Sequence, residues 1–326
     1  MGAPYGQTAE LGICFQNSYG TANVSSMHWM AILSEDVTHK AETLQSQNMR
    51  GVFEEGDAYQ GRLSADGTIE MEAHPISLGV MLTAIFGAPT TVTSGGIYTH
   101  TWKPSQTDWD ELSAGIPFTF HKNMKDGGSA SLVYDLCGNE LELSVANGEF
   151  LTSRLGVVGG NFKFQAPSTA SYPAGKRWTW DVTSVSMGNS SQTGLNDLSI
   201  KVNESLEGMH SLAVSRGKWP ARVKHSGFRM VEISGTMRLD NQNEFKEYIE
   251  ATERELVVSM KGPTEIQSGF YETLTVKVPA MRYTEYPLGA GGPGLIEVGF
   301  SAKGNYSQDS GTAVQFTLVN TKAAYV

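Results

Sequence analysis

Apolar and polar residues alternate with a period of two through much of this chain. Leu141, Leu143 and Val145 share one face of a segment whose other face carries Glu140, Glu142 and Ser144. The same alternation recurs at Leu274, Val276 and Val278, and again at Ile296, Val298 and Phe300. A period of two sends successive side chains to opposite faces. These segments are therefore expected as strands with one face on a core and the other on solvent. The pattern predicts strands within 12–15, 63–72, 129–155, 198–206, 229–240, 272–286 and 294–306, with turns at Gly138-Asn139 and Asn147-Gly148.

The period changes in two places. In "HPISLGVMLTAIFGAP" (74–89), Leu78, Met81, Leu82 and Ile85 fall on one helical face, Pro75 suits the first turn, and Gly87 and Pro89 end the helix. In "NQNEFKEYIEATERE" (241–255), Phe245, Tyr248, Ile249 and Thr252 share a face, and Asn241 or Asn243 is placed to cap. Each helix follows a similar strand. "DGTIEMEA" (66–73) leads into the first and "SGTMRLDN" (234–241) into the second, with Gly67-Thr68 matching Gly235-Thr236 at an offset of 168. Both halves read strand, long loop, strand, helix, strands, the order expected of a module built twice. The divisions read as an arm at 1–30, a β domain at 31–165, the linker "APSTASYPAG" (166–175) and a second β domain at 176–326.

Composition agrees with a β-rich globular chain. Its 326 residues hold 36 glycines and only 18% charged residues, and 40% hydrophobic content is too high for disorder. The net charge of −10 argues against tight wrapping of nucleic acid, which needs basic surface to neutralise phosphates. Cys14 and Cys137 lie far apart and form neither a disulfide framework nor a metal spacing. The start "MGAPYGQTAE" lacks the pattern of a secretory leader, so folding in a cytoplasm is expected.

Catalytic motifs are missing. Gly289-X-Gly291-X-X-Gly294 spells a dinucleotide loop, but Pro293 interrupts it and "LIEVGF" continues as a strand, so a hairpin tip is expected. The seven histidines show no ligand spacing, and Glu140 and Glu142 read as a solvated strand face. Neither enzyme chemistry nor a cofactor, metal or small-molecule substrate is expected. Two loops carry opposite charge at matching places in the halves. Glu54, Glu55 and Asp57 stand in the first; Arg216, Lys218, Arg222, Lys224 and Arg229 stand in the second. Complementary contact between repeats or neighbouring copies accounts for both loops with one cause.

The spacing from Gly12 to "YGT" (19–21) resembles the opening of major tail tube proteins of long-tailed bacteriophages. So does the Gly-Thr-apolar strand running into "LGVMLTAIFGAP". The resemblance covers most of the first half, and the second half through its order of elements. It implies a β-sandwich with a flanking helix whose sheets join into a ring-shaped barrel, rings that stack into a tube, and genomic DNA passing through the lumen. It also implies a virion location, self-association, and contact with tape-measure, tail terminator and tail-tip proteins. Three duplicated chains would make a ring of six domains. A ring of about 24 strands tilted about 40° has a backbone diameter of about 48 Å. Glu70, Glu72, Glu140 and Glu142 are the expected lumen-facing carboxylates. A different class, an adhesin or carbohydrate-binding β-sandwich of a tail tip, would expose aromatic residues such as Trp102, Trp109, Trp178 and Trp180.

Overall fold

A computed structural model of the chain describes residues 5–106, 116–125, 128–188, 190–212, 217–289 and 294–326. It is mainly β, with antiparallel pairing throughout and two short helices. The first half holds β1 (Glu10–Phe15), β2 (His28–Trp29), β3 (Ser34–Glu35), β4 (Thr38–Gln45), β5 (Ala58–Glu72) and α1 (Pro75–Phe86). It continues with β6 (Thr90–Ser94), β7 (Ile97–Trp102), β8 (Phe118–Asn123), β9 (Ala130–Ala146) and β10 (Thr152–Gln165). The second half holds β11 (Thr183–Met187), β12 (Ser190–Ser191), β13 (Leu195–Asn203), β14 (Leu206–Met209), β15 (Arg222–His225) and β16 (Met230–Arg238). It ends with α2 (Asn243–Glu250), β17 (Arg254–Gln267), β18 (Phe270–Glu285), β19 (Glu297–Gly304) and β20 (Gln315–Asn320).

The two halves are wired in the same order. In the first, hydrogen bonding runs β2–β1–β8–β9–β10–β5–β4. In the second it runs β12–β11–β17–β18–β19–β16–β13. Each strand of one list stands in the same chain order as its counterpart in the other. The halves are stitched together by β13, which pairs with the C-terminal part of β9. A second seam runs β18–β20–β7–β6, so the end of the chain returns to the first half.

Strand length and edge sharing depart from the sequence expectation at two points. Gly138-Asn139 is not a turn. β9 continues through it, and the register against β10 shifts there by a bulge. The edge of β9 opposite β10 is held by β8 up to Leu136 and by β13 from Glu140. A bulge bends and twists its strand, which is what a handover between two neighbours requires. Glycine is needed at 138 because a Cβ there would lie 3.0 Å from the Ala84 and Ile85 backbone of α1. The segment expected as one strand at 198–206 is likewise two, broken at Glu204-Ser205, where Ser205 takes φ 52°.

The helices differ from each other. The His74 ring nitrogen Nδ1 accepts the Ile76 N–H at 3.2 Å and caps α1, and Gly87 at φ 83° ends it. The face expected to be covered (Leu78, Met81, Leu82, Ile85) is buried, but so are Ser77, Gly79, Val80, Thr83 and Ala84. Tyr325 lies against Gly79, so the helix is enclosed on more than one side. In α2, Phe245 and Tyr248 pack on the core while Ile249 is 66% exposed and Thr252 is exposed. The predicted four-residue face is therefore only two residues wide: Ile249 lies within α2 but off the core, and Thr252 lies beyond the helix, which ends after Glu250 in a left-handed Ala251.

The opening motif has a local cause. β1 pairs along β8, and Gln16 beyond it donates to the Thr21 carbonyl at 2.8 Å and to Asp135 Oδ1 at 2.9 Å. The Gly20 N–H donates to the same oxygen at 2.6 Å. Asp135 is wholly buried at the bend of β9, with φ 62°. The Gly20 N–H of this turn and the Gln16 side-chain amide thus donate to a buried carboxylate that would otherwise be costly.

Burial holds several histidines neutral. His28 is lowered to about 4, first by desolvation and then by Lys322, while His74, His100 and His121 are also lowered chiefly by desolvation. The folded state therefore binds fewer protons than the unfolded chain below the ordinary histidine value. His28's share of stability is full above about pH 6.5 and is lost as pH falls towards 4, at up to about 1.4 kcal/mol per unit, and His74, His100 and His121 act in the same direction. Urea midpoints measured from pH 7.5 to 5 are expected to fall steadily; a flat profile would contradict the neutral assignments.

Candidate assembly surface

The residues with functional candidacy lie on the polar face of the joined sheets. β5, β10, β9, β13, β16 and β19 lie side by side, and directly opposed residues share a face. One row across these strands reads Glu70, Arg154, Glu142, Lys201, Glu232, Lys303. Every step in it changes sign. The adjacent row reads Glu72, Thr152, Ser144, Ser199, Ser234, Ser301, an acidic residue followed by hydroxyls.

The four acidic residues expected on one polar face are thus brought together, and each is matched by a polar partner. Glu70 opposes Arg154 and accepts from Ser34 Oγ at 3.0 Å. Glu72 pairs with Arg177 Nε at 2.8 Å. Glu140 pairs with Lys201 Nζ at 2.9 Å, and Glu142 accepts from Ser199 Oγ at 2.9 Å. Opposite charges directly across a ladder contribute about 0.2–1 kcal/mol each, and like charges there are destabilising. The row therefore specifies register more than it adds stability. A two-residue slip of β13 along β9 would remove Lys201 from opposite Glu142.

Under this face the two halves share local geometry at an offset other than 168. Gly67 and Gly235 both lie where a Cβ would strike the neighbouring strand, 2.7 Å from the Asp36 carbonyl oxygen and 2.5 Å from that of Asp197. Aligning these contacts sets Asp36-Val37-Thr38-His39-Lys40 on Asp197-Leu198-Ser199-Ile200-Lys201, at an offset of 161. Glu70 opposite Arg154 corresponds to Arg238 opposite Glu297, the same pair with its charges exchanged. The pentapeptide likeness was present in the sequence, but its offset differs from 168 because the loops between differ in length.

The charged loops are placed differently. Glu54 and Glu55 are exposed, and Asp57 lies 3.6 Å from Arg50. The Lys218 carbonyl accepts the Leu63 N–H at 2.9 Å and its Nζ reaches Gln60 at 3.3 Å, so the two loop regions touch within one chain. Arg222 and Lys224 lie on β15, opposite Met209 and Glu207. Arg216 lies outside the described residues, as does part of the glycine-rich tip, including Gly291. Arg229 is engaged elsewhere: its Nε is 2.7 Å from Glu204 Oε1, a carboxylate only 2% exposed. Of the tryptophans, Trp102 and Trp178 are buried and Trp180 is half exposed, while Trp109 lies outside the described residues. Among the described residues no cluster has the composition of a metal site, and no helix is long and apolar enough to cross a membrane.

No curated protein matches the chain. A family model described as phage tail tube protein matches residues 6–305, nearly the whole length and both halves. The chain belongs to the phage tail tube protein family.

Proposed function

We propose that the chain is two tandem tail-tube modules, 31–165 and 176–326, joined by 166–175, with the segment 1–30, expected as an arm, lending β1 and β2 to the sheet of the first module. Three chains close a pseudo-sixfold ring, and rings stack into the tube through which genomic DNA passes. The observation that carries this reading is the common pairing order of the two halves together with the β9–β13 seam that already joins them edge to edge. Self-association then continues outside the chain what the seam begins inside it. Tape-measure, terminator and tip proteins are the further contacts, in a tail assembled from subunits made in the host cytoplasm.

The polar face is taken as the lumen wall. Its carboxylates are matched by cations across the strands, so passing phosphates meet no run of free basic groups that would release counterions and hold the DNA. This replaces the bare acidic wall expected from sequence with a charge-balanced one. Electron microscopy of the purified protein tests the whole: rings or tubes with three chains per ring are expected, and monomers at every concentration would sink it. The exposed acidic loop is assigned to contacts between copies. Glu54→Lys with Glu55→Lys is expected to raise the protein concentration needed for assembly about tenfold, equivalent to about 1.4 kcal/mol. Adding Arg222→Glu and Lys224→Glu to the same chain is expected to restore it, and normal assembly of both loop variants would remove this contact from the proposal.

A further inference from the structure

The internal seam has two components, and each occurs a second time without a partner. β13 closes on β9; the counterpart of β13 is β4 and that of β9 is β18. β4 pairs with β5 on one edge, and no described strand occupies the other. β17 pairs with β18 as far as Met281, and beyond it no described strand occupies that edge, where β9 carries β13. Ile200 and Val202 of β13 are buried, whereas their counterparts His39 and Ala41 are exposed, as is Leu44 further along β4. An edge with these features is a template for another strand.

We infer that the edge of β4 in one chain closes on the segment following β18 in a neighbouring copy, in the register of the internal seam. The inference rests on the ring reading above. Moving from β13 to β4 subtracts 161. Moving from β9 to β18 adds 147, because Tyr134 and Met281 oppose the corresponding residues Asn161 and Gly304 and each strand then takes one irregularity. Asn203 opposite Glu140, Val202 opposite Leu141 and Lys201 opposite Glu142 become Glu42 opposite Pro287, Ala41 opposite Leu288 and Lys40 opposite Gly289. The receiving segment already alternates as a strand does: Tyr286 and Leu288 turn inward, Pro287 and Gly289 outward.

Backbone polarity agrees. Leu63, opposite Ala41, sends its N–H to Lys218 and away from β4, so Ala41–Leu63 is a non-bonded pair and the Ala41 N–H points to the open edge. In the seam, the Glu204 N–H donates to the Asn139 carbonyl at 2.7 Å, which turns the Val202 N–H toward β9 in the same sense. The register also fixes the tilt of the barrel. Crossing four strands from Glu70 arrives at Glu232, six residues before its counterpart Arg238. Six residues at about 3.3 Å against four spacings of about 4.8 Å give a tilt of about 45°. For a 24-stranded ring the backbone diameter is then about 52 Å, wider than the about 48 Å expected from an assumed tilt.

The test places cysteines at Lys40 and Gly289 in the full chain, where opposed Cβ atoms lie close enough for a disulfide. Cys14 and Cys137 are buried and do not compete. Oxidised rings of Lys40→Cys with Gly289→Cys are expected to yield covalent dimers and trimers on denaturing gels, and His39→Cys with Gly289→Cys is not. Ala41→Pro removes the open-edge N–H and no in-chain bond; it is expected to melt like the parent and to need at least tenfold more protein to form rings. Parent-like rings without cross-linking, or parent-like assembly of Ala41→Pro, would overturn the register while leaving the ring reading intact. Failure of the unsubstituted chain to form rings would overturn both.

Discussion

Gly67→Ala is expected to cost about 3 kcal/mol of folding stability, among the largest effects of any single methyl in the chain. Two causes add. Gly67 holds φ 150°, a conformation that costs an L side chain about 1–3 kcal/mol. Its Cβ would also lie 2.6 Å from the Val37 Cα and 2.7 Å from the Asp36 carbonyl oxygen, backbone that cannot rotate away. Gly235→Ala carries the steric cause alone, with the Asp197 carbonyl oxygen at 2.5 Å and the Phe300 ring at 3.1 Å, and is expected to cost about 2 kcal/mol. Urea midpoints of the two variants against the parent check both values and their order. A midpoint for Gly67→Ala equal to that of the parent would show that β4 and β5 do not approach as described.

Arg229→Met is expected to cost about 3–5 kcal/mol, because it strands a buried carboxylate. Glu204 is 2% exposed, its Oε1 is held by Arg229 Nε at 2.7 Å, and His225 Nε2 stands 3.8 Å from Oε2. Removing both charges should be far milder, since an apolar pair of similar volume carries no desolvation penalty. Glu204→Leu with Arg229→Met is therefore expected to recover most of the loss, and a double-mutant cycle on denaturation midpoints reads the difference. Equal losses for the single and double variants would mean that packing, not the ion pair, is what Arg229 contributes. The result also separates Arg229 from the loop charges: its substitution should lower the melting temperature, whereas Glu54→Lys and Glu55→Lys should leave it unchanged.

Several elements were legible in the residues. The alternation at Leu274, Val276 and Val278 placed β18, and Pro75 and Gly87 bounded α1, because a strand's faces and a helix's ends are set by neighbouring residues. Gly67-Thr68 and Gly235-Thr236 fall on β5 and β16, which hold the same place in the pairing order of each half. The turn at Gly138-Asn139 was misread, because a Gly-Asn dipeptide serves a bulge as readily as a hairpin. The difference lies in whether the far edge finds partners, and those partners, β8 and β13, are distant in sequence. Thr252 falls outside α2 because the helix ends at Ala251, a non-glycine residue in the left-handed conformation. Arg229 was grouped with exposed charges for want of any local sign that Glu204 is buried.

The candidate surface divides along the same line. That Glu70, Glu72, Glu140 and Glu142 occupy polar strand faces follows from the period of two and needed nothing more. That Glu70 and Glu142 belong to one row of alternating charge, with Arg154 between them and Lys201 beyond, is a property of register. Register is set by contacts between segments far apart in the chain, up to 84 residues for Glu70 opposite Arg154. The sequence by itself determined the β class, the helix positions, the repeated Gly-Thr strand and the family likeness, because these depend on residues close along the chain. Only the tertiary structure decided which strand meets which, how the two halves join, and that the acidic residues are neutralised in place. Pairing partners are selected by packing and charge across the ladder, and that selection exists only once the strands lie side by side.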